Sequence, residues 1–114
     1  MKWRSCLMEN ILNNLGKMIY GEKDNPYEIN HIYFAAEPEF TIKRYEADCE
    51  PDGGYSWSII VIDEQNVKKL QALVQGDMET FLKDFFGKNR GLNAFRKFLE
   101  ENEIKYNFQY HVGE

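Results

Sequence analysis

The stretch from Phe40 to Asp63 constrains the fold most. Phe40 to Cys49 and Tyr55 to Asp63 each read as a strand, dense in Phe, Thr, Ile, Tyr, Trp and Val. Between them lies Glu50-Pro51-Asp52-Gly53-Gly54, whose proline and paired glycines suit a tight antiparallel connection. A hairpin follows, and the rest of the chain has to supply its neighbours.

Ile29 to Ala36 supplies a third, mostly apolar strand, with Pro38 marking a break or bulge after it. At the far end Ile104, Tyr106, Phe108, Tyr110 and Val112 alternate strictly with Lys105, Asn107, Gln109 and His111, the pattern of a half-buried strand. Elsewhere the apolar period is helical. Trp3, Leu7, Met8, Ile11, Leu12, Leu15, Met18 and Ile19 lay one stripe along a first helix ending near Gly21, and Gly16 weakens that helix by about 1 kcal/mol relative to Ala. Glu22-Lys23-Asp24-Asn25-Pro26 then reads as a loop. Val67, Leu70, Leu73 and Val74 form a short stripe closed by Gly76, and Asp77 can cap a helix carrying Met78, Phe81, Leu82, Phe85 and Phe86 that Gly87 stops. Leu92, Phe95, Phe98 and Leu99 mark one more helix, closed around Asn102.

The order predicts an α+β domain: an N-terminal helix and a sheet of about four strands, antiparallel or mixed, with helices packed on one face. The period places Tyr106, Phe108 and Tyr110 in the core with Phe81, Phe85, Phe95 and Phe98. At 114 residues and 13.5 kDa, with 43% hydrophobic residues, the chain suits a single domain over 1–114 whose core needs no disulfide or metal. The cysteines, Cys6 and Cys49, lack the density and spacing of a secreted disulfide framework, which points to reduced thiols in a cytosol. Glu9, Asn10, Asn13 and Asn14 interrupt the apolar residues near the start, so neither a signal peptide nor a membrane span fits, and the expected location is cytoplasmic.

Charge carries the main functional signal. Between Glu37 and Asp52 lie Glu37, Glu39, Glu46, Asp48, Glu50 and Asp52 against only Lys43 and Arg44, a local balance of −4 within a total of −5. Interleaved with strand-forming residues, these acids are expected on a rigid face suited to a basic partner, with Tyr45, Tyr55 and Trp57 as candidate aromatic anchors. The pI of about 5.1 argues against nucleic-acid binding, which needs clustered Lys and Arg.

Catalytic signals are thin. His31 and His111 fall in predicted strands and can serve as an acid and base pair only if they meet across the sheet. The carboxylates around Cys49 would raise its thiol pKa and work against a nucleophile. No Cys-x-x-Cys, His-Glu-x-x-His or calcium loop occurs, so no metal ligand and no cofactor is expected. Gly87-Lys88-Asn89-Arg90-Gly91 is neither a Walker loop nor a dinucleotide fingerprint, and reads as a basic turn between two helices. No catalytic residue is assigned.

The N-terminal helix, the segments Ile32-Tyr33-Phe34-Ala35-Ala36-Glu37 and Tyr55-Ser56-Trp57-Ser58, and the ending from Phe98 to Tyr110 together give the chain a likeness. It resembles the small acidic immunity proteins of bacterial polymorphic-toxin and contact-dependent growth inhibition systems, including the YezG-like group. The resemblance covers most of the chain as a pattern and rests on no invariant motif. It implies a cytosolic protein that binds one cognate toxin domain, often a nuclease, and blocks it; no catalytic residue carries over. Two other readings stay open. One is a small hydrolase using a histidine and the hairpin carboxylates, the other a regulatory or scaffold domain using the same face on another basic protein.

Overall fold

The structure, a computed structural model, describes residues 16–22, 28–48, 53–89 and 91–113. Five strands form one antiparallel sheet whose spatial order is their chain order: β1 (Lys17–Glu22), β2 (Glu28–Ala35), β3 (Phe40–Asp48), β4 (Tyr55–Ile62) and β5 (Asn107–Gly113). Three helices, α1 (Glu64–Leu73), α2 (Met78–Lys88) and α3 (Asn93–Glu101), lie between β4 and β5 in the chain. The architecture is α+β, and the hairpin expected from Phe40 to Asp63 is β3 and β4, paired from Phe40↔Ile62 to Ala47↔Tyr55.

Two expectations need correction. The sheet has five strands where about four were expected, because Lys17–Glu22, assigned to the end of the first helix, is an edge strand on β2. Gly16 cannot continue a helix at φ +153°, and a Cβ there would stand 2.8 Å from the Phe34 carbonyl oxygen. A register shift between Met18 and Tyr20 then lets consecutive Ile19 and Tyr20 both contribute to the helix-side core. That bulge breaks the alternation a strand normally shows, so the apolar spacing read as helical. The rest of the expected helix, residues 1–15, lies outside the described residues. Among those described, every helix follows the first four strands.

One face of the sheet packs on the helices. Ile32, Ile42, Ile60 and Ile62 meet Leu70, Leu82, Phe86, Phe95 and Leu99, all fully or almost fully buried. Phe81, Phe85, Phe95 and Phe98 pack against one another with centroids 5.3 to 6.1 Å apart, as their helical spacing predicts. Asp63 and Asp77 cap α1 and α2, each accepting a backbone N–H three residues on. Buried Asn66 ties α1 to the lead-in of β5: its Oδ1 accepts from the Lys105 N–H at 2.8 Å while its amide donates to Asp63 at 2.9 Å.

The helix layer does not reach the whole sheet. Phe108 is partly buried under the Arg96 guanidinium, 3.9 Å from its ring centroid, but Tyr110 and Val112, next on that face of β5, are 59% and 68% exposed. The alternation correctly gives the side on which Tyr110 stands, yet Tyr110 is no core residue because no described helix extends over that end.

Candidate functional site

Antiparallel pairing sorts the acidic residues into two groups that the linear sequence had merged. Glu37 and Glu39 occupy the exposed turn between β2 and β3, while Glu46 and Asp48 lie at the opposite end of β3. From Glu39 to Glu46 the strand spans about 23 Å at roughly 3.3 Å per residue. Glu50 and Asp52 lie outside the described residues, in the connection that leaves the Asp48 end.

The same pairing recruits acids that the charge count missed. Glu28 stands opposite Asp48, and Glu22 opposite Asn30, which in turn stands opposite Glu46. The β1–β2 and β3–β4 connections therefore leave the sheet at the same end, and Glu22, Glu28, Glu46 and Asp48 share it. The signal was present in the sequence as two successive hairpins, but it needed β1 to be recognised as a strand.

Glu46 is held in place. Its carboxylate lies 2.8 Å from Arg44 Nη1, and Arg44 Nε donates to Asn30 Oδ1 at 2.9 Å. Backbone at Gly91, in the turn between α2 and α3, lies close over the same guanidinium: a Cβ on Gly91 would sit 3.6 Å from Arg44 Cζ. Gly91 thus packs on a cation of the sheet, whereas Gly87 does not stop α2 as expected: the helix continues through Gly87 to Lys88, so the turn is shorter than the stretch from Gly87 to Gly91. Asn89 also closes α2, its Nδ2 donating to the Phe85 carbonyl at 3.1 Å.

On the sheet's other face Tyr45 is fully buried, with Trp57 and Tyr55 partly buried at centroid distances of 4.7 and 6.1 Å. Of the three candidate anchors, Tyr45 is thus packing and the other two present partial surface. The tip of the Tyr55 ring also reaches over the end of β5, where a Cβ on Gly113 would stand 2.2 Å from it. The aromatic cluster braces the hairpin from behind, while Glu46 and Arg44 extend from the helix side.

The two histidines stay apart. His31, Tyr45, Trp57 and His111 form one row across β2 to β5, which separates the imidazoles by three strand spacings, roughly 14 Å. His31 is buried and hydrogen-bonds the Tyr33 hydroxyl at 3.2 Å, and His111 is exposed beside Gln109. An acid and base pair acting on one substrate atom needs a much closer approach.

At the opposite end of the sheet, Gly16, Ala35, Glu37, Pro38, Glu39, Thr41 and Lys43 line a cavity of about 380 Å³. It contains no histidine or cysteine among those residues. Among the described residues no three His, Cys, Asp or Glu side chains converge on a metal position, and no helix is long and apolar enough to cross a membrane.

Compared with protein-family models, with curated proteins and with solved structures, the chain matches none of them.

Proposed function

We propose that this chain is an immunity-type binding protein which occupies the basic surface of a cognate toxin domain, a nuclease being the class whose substrate-binding surface fits best, and that it acts in the cytoplasm. The observation that carries the reading is the acidic end of the sheet, where Arg44 braces Glu46. Glu22, Glu28, Glu46 and Asp48 share that end, Glu50 and Asp52 follow in the chain, and Tyr45, Tyr55 and Trp57 lie on the sheet face opposite Glu46. A nuclease holds phosphates with Lys and Arg, and carboxylates gathered at one end of a sheet compete for the same groups while steering association. The Arg44 brace on Glu46 matters because less ordering entropy is then lost at that carboxylate on binding.

Capture from the native host with a tagged chain, followed by mass spectrometry, tests this. A secreted toxin fragment carrying a basic domain is the expected product, and the purified pair should show the toxin's activity suppressed. A housekeeping protein in its place would favour the regulatory domain, and hydrolysis by the isolated chain would favour the enzyme.

A further inference from the structure

The two edges of the sheet differ in how they are protected. An edge strand presents unpaired N–H and C=O groups, and proteins blunt such edges with bulges, charges or proline. On β1 the protection is present: its register shifts at Ile19, it begins with Lys17 and ends with Glu22, and Lys17 is fastened to Glu79 of α2 at 3.1 Å. On β5 it is missing. Asn107-Phe108-Gln109-Tyr110-His111-Val112-Gly113 carries no Lys, Arg, Asp, Glu or Pro, and pairs with β4 in unbroken register from Val61↔Asn107 to Tyr55↔Gly113. Its Tyr110 and Val112 are the two most exposed large apolar side chains among the described residues.

We infer that the outer edge of β5 is a self-association site, on which β5 of a second copy pairs antiparallel about a two-fold axis at Tyr110. In that register Tyr110 faces its own copy, Phe108 faces Val112, Gln109 faces His111 and Asn107 faces Gly113. Each pair keeps its side of the sheet, so both helix layers stay on one face of a ten-stranded sheet made from two five-stranded ones. A second copy is the occupant that this edge fits. Two chains of net charge −5 come together along an uncharged strand, with no like charges placed opposite one another. The bulge and charges of β1 disfavour a β5-on-β1 contact, the arrangement that would propagate into fibres, and leave the closed two-fold pair. One end of this edge borders the acidic end, since Val112 shares a row with Ser56 and Glu46, but the acids themselves lie on β1 to β3, at least two strand spacings from β5. Because Gly113 of one copy meets Asn107 of the other, the two acidic ends point in opposite directions.

Sedimentation velocity and light scattering across rising concentration read the outcome. The wild type should pass from 13.5 kDa to twice that mass. Tyr110→Lys and Tyr110→Glu each place a charge against its own copy, and each should raise the dimer dissociation constant at least about tenfold. An equimolar mixture of the two should recover a heterodimer, because opposite charges then meet at the axis. Met18→Lys, on the β1 edge, should leave dimerisation unchanged. Should either Tyr110 variant fold poorly, amide hydrogen exchange on the wild type decides instead, with the outward N–H groups of β5 slowing as concentration rises. A monomer at millimolar concentration, a dimer indifferent to both Tyr110 variants, or a mixture that stays monomeric would overturn the assignment.

Discussion

Tyr45 stands on the sheet face away from the helices and is nonetheless fully buried, wedged beside Trp57 in the cluster that also includes Tyr33 and Ala47. A residue in that position contributes to folding before it can contribute to any interface. Truncation removes a large ring from a packed site, so Tyr45→Ala should cost about 3 to 5 kcal/mol. The expected readout is a clear fall in the urea midpoint of the isolated protein, with no partner present. An unchanged midpoint would mean that this face is not packed as described and that Tyr45 is free to act as an anchor. Gly113 makes the neighbouring point. Because the Tyr55 ring occupies the space that a Cβ would take, the small residue at the end of β5 is what lets the tip of the ring reach over the strand. Sequence alone gave Tyr45, Tyr55 and Trp57 equal standing, since nothing local distinguishes a tyrosine facing a neighbouring ring from one facing water.

Among the elements, α2 joins the helix layer to the far edge of the sheet. Asp77 accepts the Thr80 N–H at 3.0 Å, and Glu79 receives both Lys17 of β1 and Lys83 at 3.1 Å. These bonds hold all three folded-state carboxyls concerned with helix starts and edge below their ordinary values. For Asp77 the main cause is the Thr80 backbone bond, for Asp63 the Asn66 backbone bond, and for Glu79 the hydrogen bond from Lys17. A depressed folded pKa stabilises the protein above the unfolded value, near 4 for a carboxylate, and that contribution is lost as pH falls through the folded pKa. Acid should therefore weaken the protein below about pH 4 to 5. Asp77→Asn keeps a good cap and removes its titration. Its urea midpoint should fall less than the wild type's between about pH 7 and pH 3, and an identical fall would show that Asp77 takes no part. The elements most legible in the sequence were those with local signals: the β3–β4 hairpin, the cap at Asp77 and the alternation of the last strand, whereas Asp63 was read as the end of a strand and proved to be the cap of α1. β1 was illegible because a bulge and a preceding glycine disguised its period, and its partner β2 acts only through tertiary pairing.

For the whole molecule, the arrangement of charge matters more than its total. The acids between Glu37 and Asp52 look like one cluster along the chain, but the strand that carries them separates Glu37 and Glu39 from Glu46 and Asp48 by more than twice the Debye length of about 10 Å at 0.1 M salt. Charges so far apart act on a partner almost independently, so the two ends can be tested against each other. Glu46 is left untouched in such a test, because reversing it would set a lysine beside Arg44, which is itself partly buried and bonded to Asn30. Reversing Asp48, Glu50 and Asp52 to Lys should slow association with the captured toxin domain and weaken affinity at least about tenfold at low salt. The loss should shrink as ionic strength rises, since the Debye length falls to about 3 Å at 1 M. Reversing Glu37 and Glu39 should change little under either condition. If that second pair instead abolished binding while the first triple did not, the partner would sit at the β2–β3 turn beside the cavity lined by Thr41 and Lys43, and the acidic end would be a solvated face.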